Sequence, residues 1–168
     1  MRKPFVPVIV AVLSLVSYGF VVAQSPPPAK KSPANMAHVT LNPGDMQFGD
    51  QPPGLPAGAK VAVLYGNPGK PGLFIIRVKA PDGYKVPPHF HPGTENITVV
   101  SGRFHIISGD VLDATKGTAL GAGGFMSMPG KMHHAAWTEG ETEFEVAAMG
   151  PFAITYVNKA DDPRLAKK

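Results

Sequence analysis

The clearest alternation in the chain is LFIIRVKA, residues 73–80. In an extended strand Leu73, Ile75, Arg77 and Lys79 share one face, and Phe74, Ile76, Val78 and Ala80 share the other. Similar short runs recur between turn residues. KVAVLYG (60–66) precedes the turn NPGKPG, and NITVVSG (96–102) meets RFHIISG (103–109) at a glycine. GGFMSMPG (123–130) is followed by KMHHAAWT (131–138), the turn EGET, then FEVAAMG (144–150) and PFAITYV (151–157). VTLNPGDMQFGDQPPGLPAG (39–58) has room for one or two more strands among turns. This predicts eight to ten short strands and no amphipathic helix. An all-β sandwich or barrel follows.

Composition agrees with that reading. Gly and Pro contribute 19 residues each to a 168-residue chain, dense punctuation that suits turns rather than helices. Hydrophobic residues make 43% and charged residues 17%, enough apolar material for one globular domain.

The N-terminus changes the picture of where the domain works. MRK supplies a positive start, Phe5–Val16 is apolar, and Val21 and Ala23 are small residues suited to cleavage after Ala23. We expect a signal peptide at 1–23, a Pro- and Lys-rich linker at 24–37, a single domain at 38–160 and a polar C-terminal tail at 161–168. The mature protein is then periplasmic or secreted, with no stable membrane association. The formal charge of +4 becomes 14 − 12 = +2 once Arg2 and Lys3 are removed. The remaining basic residues are scattered or lie in the tails, which excludes a nucleic-acid footprint. There is no cysteine, so neither disulfides nor thiolate metal sites are available. Any metal must use His, Asp or Glu.

The candidate chemistry lies in GYKVPPHFHPGTENITVVSG, residues 83–102. His89 and His91 stand at strand spacing, so both imidazoles point to one face. Glu95 enters the next strand beside them, and Pro87, Pro88 and Pro92 fix the backbone on either side. A second cluster, His133-His134, follows about 40 residues on. Adjacent strand residues point to opposite faces, so one of the two is expected to join the pair. Imidazoles with a carboxylate suit one divalent transition metal: Mn, Fe, Ni, Cu or Zn.

These residues resemble the cupin superfamily. Gly83, His89, His91, Glu95 and Gly102 fit the first cupin motif, G-x5-H-x-H-x3,4-E-x6-G, at every position. Gly123, Pro129 and His134 fit the second, G-x5-P-x-G-x2-H-x3-N, in which Lys131 replaces the glycine and Thr138 the asparagine. A register pairing Gly130 with the motif glycine would use His133 instead, but it breaks the proline spacing. The resemblance spans the motifs at 83–138 and, through flanking strands, most of 39–157. It implies a cupin double-stranded β-helix, or jelly-roll barrel, with a short N-terminal strand arm and one metal on His89, His91, Glu95 and His134. It also implies a homodimer formed through the N-terminal arm or an outer sheet face.

Three other residues are candidates for the pocket. Arg77 would clamp a carboxylate or enolate if it pointed inward. Tyr84 offers a phenol and His105 a further imidazole. Met126 and Met128 read as core, and Trp137, sharing the parity of His133, as packing between sheets or at an oligomer contact. The function that follows is a metal-dependent enzyme on a small organic substrate, either a dioxygenase or oxidoreductase or a Lewis-acid isomerase or lyase. The alternatives are a non-catalytic binder or sensor of a metal or small ligand, and a structural or storage barrel. Metal identity is pulled two ways: the family suggests Mn or Fe, whereas the affinity order outside the cytoplasm favours Cu or Zn.

Overall fold

The computed structural model describes residues 38–165. The expected signal peptide and linker, and Ala166 onward in the expected tail, lie outside the described residues. Among the described residues there are nine strands and three short 3₁₀ turns. The strands are β1 (Gly49–Asp50), β2 (Lys60–Tyr65), β3 (Gly72–Ala80), β4 (Lys85–Phe90) and β5 (Glu95–Ser108). They continue with β6 (Thr118–Leu120), β7 (Phe125–Met128), β8 (His134–Gly150) and β9 (Thr155–Tyr156). All pairings are antiparallel. The all-β cupin barrel is the fold observed.

Two long strands organise the barrel. β5 and β8 pair along their whole lengths, from Glu95↔Ala148 to Ser108↔His134. The C-terminal half of β8 also pairs with β3, and β3 continues to β2 and β1. Its N-terminal half pairs with β4, which continues to β9. β5 likewise pairs with β7 through its first residues and with β6 through its last. Each long strand therefore serves two walls, and both must bend midway.

The bend differs from what the pattern of residues suggests. NITVVSG and RFHIISG form one strand, not two joined by a turn, and the register of β5 against β8 shifts between Val99 and Arg103. Gly102 sits in this bend at φ 78°, with Glu141 O 2.4 Å and Thr142 Oγ1 2.6 Å from where a Cβ would lie. Thr142, fully buried, receives the Arg103 amide on its hydroxyl at 3.1 Å. The bulge also changes which residues face in. Glu95, Ile97 and Val99 are buried before it, Phe104 and Ile106 after it. KMHHAAWT and FEVAAMG are likewise one strand, β8, running through EGET, and PFAITYV shortens to Thr155–Tyr156.

The core follows the alternation of β3. Phe74, Ile76, Val78 and Ala80 are buried, and they form one core with Ile97, Val99, Phe104, Phe144 and Val146. Burial of this apolar surface is the main stabilising term, at about 25 cal/mol per Å². Residues 161–165, expected as part of the tail, turn back: the Arg164 guanidinium donates to the Ile154 carbonyl at 3.1 Å and pairs with Asp162 at 2.7 Å.

Candidate metal centre

His89 lies near the end of β4, His91 one residue beyond it, Glu95 at the start of β5 and His134 at the start of β8. All four residues are buried, none more than 7% exposed. The three imidazoles offer nitrogen atoms within 4.8 Å of one another. His91 Nε2 is 3.6 Å from Glu95 Oε1, and His134 Nε2 is 3.4 Å from Glu95 Oε2. The predicted set is thus brought together, and His134 is the member of its pair that faces inward. His133 points out, stacked on Phe90 with its Nδ1 bonded to Asp110 Oδ1 at 2.5 Å.

The backbone explains why this register holds. Lys131 adopts φ 66°, the left-handed conformation for which glycine is best suited. Its amide donates to the His91 carbonyl at 2.8 Å, tying the two histidine segments together. The other departure from the motif, Thr138, is buried and has its own work. Its hydroxyl donates to the Pro81 carbonyl at 2.6 Å and accepts from the Tyr84 amide at 3.1 Å, which fixes the turn leading into β4.

The outer nitrogens of all three histidines are committed. His89 Nδ1 donates to the Pro87 carbonyl at 2.7 Å, His91 Nδ1 to the Ala153 carbonyl at 2.8 Å, and His134 Nδ1 to the Met132 carbonyl at 3.0 Å. A neutral imidazole that donates from Nδ1 presents a lone pair at Nε2. His91 Nε2 is buried with no hydrogen-bond partner. An orphaned acceptor aimed into an N/O cluster is what a cation would satisfy, so the donor set fits a metal. Phe152 stacks on the His91 ring at 4.3 Å between centroids and 15° between planes, holding its orientation.

Electrostatics favour the neutral imidazole at His89 and His91, and pair His134 with the carboxylate. Burial, reinforced by the His134 and His91 rings, pushes His89 down to about 3. Burial also lowers His91. For His134 burial works downward, but the Glu95 carboxylate outweighs it and raises the imidazole. Burial alone would raise Glu95; its hydrogen bond to His134 and the nearby His91 hold it below the ordinary carboxylate range.

The cluster forms part of the wall of a cavity of about 540 Å³. Two of the three pocket candidates lie elsewhere. Arg77 is on the outer face of β3, its Nη1 2.8 Å from Glu143 Oε1 and its Nη2 2.5 Å from Glu145 Oε1. The reason is its parity: on a strand whose even residues fill the core, an odd residue points out. His105 is also outside, stacked on Trp137 at 5.0 Å and bonded to Glu139 Oε2 at 3.0 Å. Trp137 itself packs there rather than between the walls, with its ring against Gly117. Tyr84 does line the cavity, but its hydroxyl donates to the Pro56 carbonyl at 2.7 Å, and burial pushes the phenol up to about 12. Residue patterning missed the carbonyls of Pro87, Met132 and Ala153, because no side-chain identity marks a backbone acceptor.

A family model described as ChrR Cupin-like domain matches residues 36–153. The chain belongs to this cupin family. No curated protein matches the sequence. Solved cupin structures resemble it in fold. The polyketide cyclase RemF from Streptomyces resistomycificus aligns at TM-score 0.62 and 20% identity, covering 76% of this chain and 91% of that one. A putative acetylacetone dioxygenase from Methylibium petroleiphilum PM1 aligns at TM-score 0.60 and 18% identity, covering 77% and 88%. An RmlC-like cupin from Shewanella frigidimarina aligns at TM-score 0.53 and 19% identity, covering 67% and 90%. At these identities the likeness describes the cupin barrel, not the reaction carried out in it.

Proposed function

We propose that this cupin is a metal-dependent enzyme acting on a small organic substrate. The observation that carries the reading is the convergence of three buried imidazoles, each with Nδ1 tied to a carbonyl and one with an unpartnered Nε2, at the wall of a large cavity. A storage or purely structural barrel has no need of that space. His89, His91 and His134 would hold the ion through Nε2, and Glu95 through its carboxylate. When bound, such a metal supplies a Lewis acid or, if redox-active, a redox centre.

The chain's own residues narrow the chemistry. Among the described residues, Glu95 is the one carboxylate at the cluster. The Tyr84 phenol is committed to Pro56 and holds its proton tightly. The site therefore offers little independent proton transfer. That favours oxygenase or oxidoreductase chemistry over a lyase that needs a separate general base. Two of the fold neighbours are a cyclase and a putative dioxygenase, which agrees with small-molecule turnover. The export reading completes the proposal: residues 1–23 would route the domain out of the cytoplasm, where Cu or Zn competes with Mn and Fe for the site.

The test is metal content by mass spectrometry on untagged protein and on His134→Ala, followed by oxygen-uptake and turnover assays. About one ion per chain, lost in the variant, is expected. A metal-free wild type would overturn the reading.

A further inference from the structure

The reading above leaves the substrate open, and the cavity constrains it. We infer that the site takes a largely apolar molecule carrying a single oxygen-bearing head, a carbonyl, enol or phenol, and that it rejects sugars, sugar acids and dicarboxylates. This inference rests on the metal-site proposal for the head and on the cavity wall for the body.

The wall is apolar from both sides of the barrel. Val78 and Val146 contribute from β3 and β8, Ile97, Phe104 and Ile106 from β5, and Phe144 from β8. The polar groups at the wall are nearly all accounted for. Tyr84 is used by Pro56, and the neighbouring Tyr156 donates its hydroxyl to the Gly54 carbonyl at 2.9 Å. At the rim, Asp50 pairs with Lys60 at 2.5 Å and Arg164 with Asp162 at 2.7 Å, so these charges neutralise each other. The guanidinium that the strand pattern offered, Arg77, is outside and held by two glutamates. What remains for a polar ligand is the histidine–glutamate cluster alone.

The consequence is a selection rule. A second charged or hydroxyl group, buried beside Ile106 or Val146, would leave water and find no partner. Each such group weakens binding by roughly tenfold or more. An apolar body gains instead, and a cavity of about 540 Å³ is large enough for a ring plus a short chain.

Three probes with the same 1,3-dioxygen head separate body from head. Acetylacetone has little body, benzoylacetone adds a phenyl ring, and malonate carries two charges. Binding is measured by calorimetry on the metal-loaded full chain, with metal content determined on the same sample. Benzoylacetone should bind at least about thirtyfold tighter than acetylacetone, the value of burying several more carbons, and malonate should bind weakest. Val146→Asp should keep its metal and lose at least about tenfold in benzoylacetone affinity. Val146→Thr, close in shape, serves if the charged variant does not fold, and should lose severalfold. Malonate binding as tightly as benzoylacetone at full metal content would overturn the substrate class and leave the metal site standing. A protein without metal would overturn the metal-site reading and with it the anchored head, whichever probe bound.

Discussion

His134 and Glu95 stand at opposite ends of one antiparallel strand pair, yet His134 Nε2 lies 3.4 Å from Glu95 Oε2. In a flat ladder thirteen residue steps would part them by roughly 40 Å. The bends at Val99–Arg103 and around Gly140 fold the pair over and bring its ends together. The metal site is thus a consequence of the corner. Gly102→Val should be severely destabilising, by about 3 kcal/mol or more, since it combines left-handed strain with a backbone collision. Gly140→Ala has a similar φ of 73° but open space around it, and should cost only about 1 kcal/mol. Denaturant midpoints of the two variants check the contrast; equal losses would mean that the corner packing is not as described.

The ligand set makes a sharper prediction. His89→Ala, His91→Ala and His134→Ala should each lose most of the bound metal, while His133→Ala, whose ring stacks on Phe90 outside the barrel, should retain it. Glu95→Gln should weaken metal binding by about tenfold or more, because it removes the one anionic ligand among the four groups. Metal content after dialysis against a graded chelator series reads all five. Loss in His133→Ala with retention in His134→Ala would reverse the register of the second motif.

Much of this was legible in the residues, for reasons that can be named. Strand parity placed His89 with His91, and the proline spacing placed His134 rather than His133. Lys131 was legible only as a missing glycine; the structure shows it in the glycine conformation all the same. Parity alone put Arg77 opposite Phe74 and Ile76, but which face was inside depended on β5 and β8, far away in the chain. The continuity of β5 and β8 was hidden because a glycine in a bulge and a glycine in a turn read alike. The roles of Tyr84 and Tyr156, both donating to the 54–56 segment, were hidden because their acceptors are main-chain carbonyls.

Outward placement of Arg77 can be tested without knowing the substrate. Its side chain is 14% exposed and holds two glutamates that are themselves 24% and 31% exposed. Arg77→Met should therefore cost about 1 kcal/mol of stability through the two glutamates left facing each other. Metal content and ligand affinity should stay at the wild-type level. A variant with normal stability and metal but no ligand binding would put the guanidinium in the pocket.

The metal-free protein should lose stability on acidification, and the sign follows from the histidines. His89 is pushed down to about 3 and His91 is lowered, both mainly by burial, from an unfolded value near 6.5. For such groups the unfolded chain binds protons that the folded one refuses, so their contribution is complete above pH 6.5 and falls as pH drops below it. His134 acts the other way: Glu95 raises it, so its contribution is complete below 6.5 and is lost as pH rises through its folded value. Below pH 6.5 His134 is protonated in both states and offsets nothing, so the two lowered groups act together, with a slope of at most about 2.7 kcal/mol per pH unit. Glu95, held low by its imidazole neighbours, adds to the loss below about pH 4.5. Denaturant midpoints between pH 7.5 and 4.5 in excess chelator measure the limb, and His89→Leu should flatten it. Adding metal should steepen it, because ligation requires neutral imidazoles and protons compete directly for the Nε2 lone pairs. A metal-free limb that rises toward acid would mean that His134, not the buried neutral pair, dominates the site.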